Sequence, residues 1–299
     1  MTTPDDPTPV DPTATDAWPP SADLPPPAVS AAPAPPRPST DTARWGRHPA
    51  VRVVTLAFGG LLTILVLTIG GLGVANGLVR TSDTDSLVLD GPVRRVEIRV
   101  DGRVSVQPGP ADEATVSWRA TFGLERPDVT TTLDDGLLTV RVRCGEGISL
   151  VCDTRVELAV PPDASLSVEG LGVEVRDIDG DVDVDSGAGE VELTRLSGRI
   201  DASVGGGTLL GRDLTSDEVR ASTGAGTVEI DFDRAPHLVE AVAGAGAVII
   251  GLPPGDETYR VDAEAATAGR SVDVRTDPTS DRVIRAHAGA GAVEVRYRA

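Results

Sequence analysis

Hydrophobic and polar residues alternate along most of the chain beyond residue 92. Asp101-Gly102 and Asp135-Gly136 fall between alternating segments, and an Asp-Gly pair in that setting is typical of a hairpin turn. No part of this region has the periodicity of a helix. The pattern therefore predicts half-buried β-strands, joined by hairpins at the start. The alternating segments before residue 145 are 93–100, 104–106, 114–122, 129–133 and 137–142.

From about residue 166 the chain repeats itself. Five segments align, and each combines a Gly-x-Gly pair with alternating apolar residues. Their first glycines are 18, 19, 20 and 45 residues apart, and the last gap accommodates two longer turns. A second short strand precedes each of the first four, so the unit is strand, Gly-x-Gly corner, strand. The corner glycines are Gly187, Gly189, Gly205, Gly207, Gly224, Gly226, Gly244, Gly246, Gly289 and Gly291.

These repeats determine the predicted fold. A short strand with apolar residues at alternate positions cannot bury its face alone, whereas stacked copies form one continuous core. Glycine at each corner allows positive φ and a close approach between neighbouring turns of chain. Small interior residues suit a narrow stack, in agreement with an aromatic content of only 3%. We predict an all-β fold, a β-solenoid or β-helix-like repeat domain over 93–299 with N-terminal hairpins; a β-sandwich is the alternative.

Residues 53–79 contain no charged side chain, and about 20 apolar residues suffice to cross a bilayer. Arg44, Arg47 and Arg52 precede this stretch, and arginine near the end of a span favours the cytoplasmic side. We therefore predict a basic flank and one transmembrane helix within 44–80, in the cell membrane. The N-terminus is then cytoplasmic and the C-terminal domain extracytoplasmic. A cleaved signal peptide is the alternative, disfavoured by the long leader.

Three further expectations concern the same part of the chain. Residues 1–43 are rich in proline and cannot bury apolar surface, so a disordered cytoplasmic tail is predicted. Residues 81–92 are predicted to form a short polar stalk. The small-xxx-small spacings of Gly59 with Thr63 and of Gly73 with Gly77 would allow a homodimer through the transmembrane helix, although glycine is common in membrane helices in any case.

The charge of the chain excludes one class of partner. The net charge is −19, and 40 acidic residues face 23 arginines from Arg80 onward. Nucleic-acid binding needs cations that face phosphates, so no nucleic-acid partner is expected. The expected partners are the membrane and an envelope polymer or protein. All 27 basic residues are arginine, which is typical of a GC-rich genome such as that of an actinobacterium.

Cys144 and Cys152 are the only cysteines, and a Gly-containing turn separates them. Outside the cytoplasm, two cysteines in this arrangement favour a disulfide. Without a nearby histidine they make a poor zinc site. We predict a disulfide that closes the loop between them.

One group of acids has the spacing of a calcium loop. Asp181, Asp183, Asp185 and Glu192 fall at its first, third, fifth and twelfth positions. Ser186, however, stands where such loops need glycine, and no helix flanks the segment. The same alternation is typical of a strand with a solvated acidic face, which is the favoured interpretation. Weak calcium binding is the alternative, and no cofactor is expected.

The sequence contains no complete catalytic motif. None of the Gly-x-Gly pairs continues into the fingerprint of a dinucleotide site, and no nucleophile motif accompanies the three histidines. Paired carboxylates could cleave a polysaccharide, but acids are so numerous that spacing selects no pair. We predict that the protein is not an enzyme.

The Asp-Gly turns followed by Gly-Ala-Gly-x-Val-Glu-Val repeats resemble the bacterial putative-adhesin family of β-strand-repeat domains, over roughly 93–298. The resemblance implies a β-helix-like envelope domain behind a single membrane helix, and no catalytic residues. We therefore expect a membrane-anchored envelope protein whose repeat domain is a non-catalytic interaction or structural module. The alternative is an accessory sensor or modulator of an envelope-stress signalling system.

Overall fold

A computed structural model describes residues 59–66, 81–123, 126–145 and 152–298. This part of the chain contains one helix, 59–66, and seventeen strands, so the predicted all-β class is confirmed. The strands are β1 (Thr81–Asp90), β2 (Arg95–Val100), β3 (Arg103–Pro108), β4 (Glu113–Phe122), β5 (Asp128–Asp134), β6 (Leu137–Arg143), β7 (Cys152–Val160), β8 (Ser165–Gly170), β9 (Gly172–Arg176), β10 (Val182–Ser186), β11 (Gly189–Thr194), β12 (Ile200–Leu214), β13 (Glu218–Phe232), β14 (Leu238–Leu252), β15 (Arg260–Ala265), β16 (Arg270–Asp273) and β17 (Val283–Tyr297).

The predicted location in the cell membrane, with a cytoplasmic N-terminus and an extracytoplasmic C-terminal domain, is wrong. Within the described ranges, no helix is both long and apolar enough to cross a membrane. The rest of the predicted span, the tail 1–43 and residues Gly73 and Gly77 of the predicted dimer face lie outside the described residues.

The predicted stalk is also corrected, because residues 81–90 form strand β1. This strand pairs antiparallel with β4 along its whole length, from Thr81 opposite Phe122 to Asp90 opposite Glu113. Strand pairing joins backbone groups, so it does not require a strongly alternating sequence. β1 consequently extends the sheet at an edge although most of its side chains remain exposed.

The strands of the domain fall into two stacked sets. The first set runs β5-β6-β2-β8-β10, and the second runs β1-β4-β7-β3-β9-β11. Each of β12, β13, β14 and β17 is 15 residues long and bends at its Gly-x-Gly corner. Its first half continues the first set, and its second half continues the second set. β15 and β16 end the two sets at the far side of β17.

The repeats stack in parallel and in register. Val182 pairs with Ile200, which is followed along the stack by Val219, Val239 and Ile284. Each step therefore equals the repeat length read from the sequence. All five of these side chains are buried, and the apolar residues of both strand sets join a single hydrophobic core. The alternation of buried and exposed positions leaves the polar residues on two outer faces, which we call the first face and the second face after the strand sets.

Close packing at the corners explains their composition. A Cβ atom at Gly246 would overlap the carbonyl oxygen of Gly226, and one at Gly226 would overlap that of Gly207. These three glycines also have positive φ values of 138°, 142° and 142°. An L side chain is strained there and has no space, so the stack requires glycine at this position of every corner.

Spatial order departs from chain order at both ends of the stack. β2 lies between β6 and β8, and β3 lies between β7 and β9. The two strands around Asp101-Gly102 therefore do not pair with each other, and the predicted hairpin there is wrong. The hairpin at Asp135-Gly136 is correct, since β5 and β6 pair antiparallel. The gap of 45 residues holds β15 and β16, and β17 returns between them and β14.

Candidate functional site

Ion pairs follow the stack in the repeat region. Arg195 binds Asp177 through two hydrogen bonds of 2.6 and 2.7 Å, and this pair lowers the pKa of Asp177. Arg298 bridges Asp213, at 2.8 Å, and Asp233. Asp177 and Asp213 both have positive φ, so the ion pairs hold turns that asparagine or glycine would adopt more readily. Arginine thus neutralises carboxylates between one repeat and the next.

The predicted acidic group lies where a strand would place it. Asp183 and Asp185 point outward from β10 and alternate with buried residues, and Asp201 lies opposite Asp183 on β12. Partial burial raises the pKa of Asp183, and the neighbouring carboxylates Asp201 and Asp185 raise it further. The row is therefore a solvated acidic face with mutual repulsion.

The four candidate calcium residues are not brought together as one site. The Asp181 carboxylate accepts a hydrogen bond from the Arg199 backbone amide at 3.0 Å, and Glu192 pairs with Arg212 at 2.9 Å on the second face. Among the residues that the structure describes, no three His, Cys, Asp or Glu side chains are grouped so as to hold a metal ion. Calcium binding stays a prediction to be tested by experiment.

The two cysteines are joined in the structure, with their Cα atoms 6.1 Å apart. The bond connects the end of β6 to the start of β7. The Asp101 carboxylate accepts a hydrogen bond from the Cys144 amide at 3.2 Å, and the Asp101 carbonyl accepts one from Thr154 Oγ1 at 3.0 Å. The disulfide therefore lies beside the Asp101-Gly102 corner that joins β2 to β3.

The feature that sequence reasoning missed is a row of three arginines on the second face. Arg119 of β4 lies opposite Arg155 of β7, and Arg155 lies opposite Arg103 of β3. All three side chains are exposed. Neighbouring strands are about 4.8 Å apart, so the backbone positions of three permanently charged side chains lie within about 10 Å. We call these residues the arginine row.

Counter-charges for the arginine row are scarce in the structure. Across the described ranges, none of the three arginines has a carboxylate within ion-pair distance; Arg119 donates only a 3.4 Å hydrogen bond to Thr84. Like charges opposite each other in a sheet are destabilising by about 0.2–1 kcal/mol per pair. The row thus contrasts with the repeat region, where arginines lie against carboxylates.

The row borders an open depression of about 540 Å³ on the second face. Its charged lining residues are two arginines, Arg103 and Arg155, and four glutamates, which are Glu157, Glu174, Glu190 and Glu192. Glu174 accepts a hydrogen bond from Ser105 at 3.3 Å. The depression can therefore hold an anionic group against the arginines, whereas its carboxylates would repel a ligand that is negatively charged throughout.

Register explains why this row was not predicted. Arg103, Arg119 and Arg155 are separated by 16 and 36 residues, and each belongs to an unremarkable alternating segment. They become neighbours because β7 pairs with β4 on one side and with β3 on the other. The one signal in the sequence is that residues 93–160 hold nine of the arginines, against eleven acids.

Known structures show similarity to the chain at low identity. A putative cell adhesion protein from Clostridium sporogenes is 10% identical, covering 73% of this chain and 100% of its own, with a TM-score of 0.32. A putative adhesin from Bacteroides fragilis is 10% identical, with coverages of 71% and 97% and a TM-score of 0.44. A putative adhesin from Parabacteroides distasonis is 14% identical, with coverages of 72% and 96% and a TM-score of 0.35.

No family model matches the chain, and no curated protein is similar to it. Membership of the adhesin family and origin in an actinobacterium therefore stay predictions.

Proposed function

We propose that this protein is a non-catalytic interaction module that binds an anionic partner through the second face of a β-solenoid. The solenoid is supported by the parallel registers, in which each repeat pairs with the next at matching positions. Such a stack presents side chains in straight rows on rigid strands. A surface of this kind suits recognition of an extended partner.

The observation that carries the proposal is the arginine row. Arginine holds oxyanions through a planar fork of N–H donors and remains charged at any physiological pH. Three arginines that repel one another on neighbouring strands are stabilised by an anion placed between them. The depression beside the row provides the space for such a group.

Titration with tripolyphosphate tests the proposal. The full chain should bind this probe, and Arg103→Gln combined with Arg155→Gln should weaken binding at least about tenfold, because hydrogen bonds to charged groups contribute roughly 1.5–3 kcal/mol each. Because the module is proposed to be non-catalytic, phosphorus NMR after the titration should show tripolyphosphate chemically unchanged.

A control that removes the same charge elsewhere is available. Arg234, which pairs with Asp217, and Arg260 of β15 are replaced together by glutamine. This variant should bind as the unmodified chain does. Equal loss in both double variants, no binding by the unmodified chain, or cleavage of the probe would each overturn the proposal.

A further inference from the structure

A second group of arginines lies on the first face, around the same corner of the fold. Arg99 of β2 is opposite Arg141 of β6 in the sheet register. Together with Arg143 they line a depression of about 460 Å³. We call these three residues the first-face arginines.

The first-face arginines are only partly neutralised. Arg99 lies 3.4 Å from Glu169, but both side chains are more than half exposed, and pairs of this kind contribute little. Arg141 Nε is buried and has no hydrogen-bond partner. A buried donor without a partner is costly, so a ligand oxygen at this point would be stabilising.

The two depressions meet at one residue. Leu171, in the 170–172 corner between β8 and β9, lines both of them and is 55% exposed. β2 and β3 approach the same point, because the Leu171 amide donates a 2.9 Å hydrogen bond to the Gly102 carbonyl. Arg99 and Arg103 are therefore on opposite faces but only four residues apart along the chain.

The corner is held in place from several sides. Thr154 donates to the Asp101 carbonyl, and the disulfide fixes the adjoining ends of β6 and β7. Asp101 accepts a hydrogen bond from the Cys144 amide, which leaves its carboxylate less able to neutralise the arginines. Both arginine groups are thus presented by rigid backbone, so little ordering is needed on binding.

We infer that the anionic partner is a flexible linear polymer with repeated oxyanion groups, phosphate or carboxylate, that passes over the Leu171 corner and contacts both the arginine row and the first-face arginines. This inference rests on the proposed function and names its partner. A flexible chain can follow a corner and place its charged groups at the arginines and its uncharged links at the glutamates that line each depression. A nucleic-acid duplex is stiff and would meet the acidic repeats, whose net charge is strongly negative.

The test compares a short probe with a long one. Long-chain polyphosphate should bind the full chain at least about 100-fold more tightly than tripolyphosphate, because a second contact on a tethered ligand is intramolecular. Arg99→Gln combined with Arg143→Gln should remove most of this gain. The same variant should leave tripolyphosphate affinity at the arginine row within about twofold, since distant sites act additively.

The outcomes separate this inference from the proposed function. If the long probe binds no better than the short one, or if the first-face variant leaves its affinity unchanged, bridging is overturned while anion binding stands. If neither probe binds, both proposals fail.

Polyglutamate in place of polyphosphate distinguishes the two oxyanions, and binding of either through both groups supports the inference. Duplex DNA that binds as tightly through the same arginines would overturn the assignment to a flexible polymer. Circular dichroism checks that each variant is folded.

Discussion

In the repeat region, residues 163–298, twenty-six acids face thirteen arginines, whereas residues 93–160 hold eleven acids and nine arginines. Yet the strongly acidic region is the one in which arginines are paired with carboxylates. Arg195, Arg220 and Arg298 each contact carboxylates of the repeat region itself. Among described residues, the arginines of 93–160 make two ion pairs, Arg99 with Glu169 and Arg126 with Asp83, and both carboxylates lie outside that region.

This difference shows how register controls charge. In the parallel repeats, matching positions stack on one another, so an arginine that replaces an acid in one repeat is placed against the acids of the next. In the earlier region, strands from distant parts of the chain are interleaved, and arginines come to lie opposite arginines. Charges of the repeats stabilise the stack, whereas charges of the earlier region remain available to a ligand.

The largest expected effect tests the close corners of the repeat region. Gly246→Ala should lower the free energy of unfolding by about 3–5 kcal/mol, because its Cβ would overlap the Gly226 carbonyl oxygen. Gly187→Ala is the matched control, since a Cβ there meets nothing within 4 Å. Urea unfolding followed by circular dichroism measures both. Equal stability of the two variants would mean that the corners do not depend on close packing.

In the earlier region the corresponding support is the disulfide. Cys144→Ser with Cys152→Ser should lower stability by about 2 kcal/mol, because the open loop gains conformational entropy in the unfolded chain. Mass spectrometry without reductant should find the two cysteines bonded. Two free thiols in the folded protein would show that no disulfide holds the ends of β6 and β7 beside the Asp101-Gly102 corner.

A smaller effect tests charge pairing within the repeats. The pKa of Asp177 is lowered by Arg195, so its stabilising contribution is complete above the ordinary carboxyl pKa and is lost as pH falls through the lowered value. Asp177→Asn should therefore be about 0.5 kcal/mol less favourable to stability at neutral pH than in strong acid, as expected for an exposed pair; the readier fit of asparagine to this turn acts equally at both pH values.

Replacing Asp183 should change the stability in the opposite direction. Burial and its acidic neighbours raise its pKa, so its ionised form is unfavourable at neutral pH and this penalty disappears in acid. Asp183→Asn should increase stability by about 0.3 kcal/mol at pH 7. Thermal unfolding at several pH values compares both variants; a pH dependence of the same sign in both would contradict the assignment of paired and unpaired acids.

The smallest expected effect is that of calcium. Because Asp181 and Glu192 are engaged with Arg199 and Arg212, calcium should leave the melting temperature of the full chain unchanged. An increase that is abolished by Asp183→Asn with Asp185→Asn would instead establish the weak calcium site considered from the sequence.

The residues alone determined the strands, the repeat length and the need for glycine at the corners. Alternation of apolar and polar residues indicates which side chains of a strand face the core, and a repeat indicates which strands occupy equivalent positions in the fold. Both signals are local or periodic, so they can be recognised in the sequence without any knowledge of the fold. They led correctly to the all-β class, and Asp183 and Asp185 lie on the exposed side of a strand.

Only the tertiary structure decided which strands are neighbours. Backbone hydrogen bonds pair any two strands of suitable geometry, so sequence patterns did not reveal that β2 and β3 separate, that β17 returns between β14 and the last strands, or that 81–90 adds an edge strand. The arginine row exists only because β7 pairs with both β3 and β4. The sequence thus contains the arginines of the candidate site as isolated residues, and the pairing of distant strands brings them together.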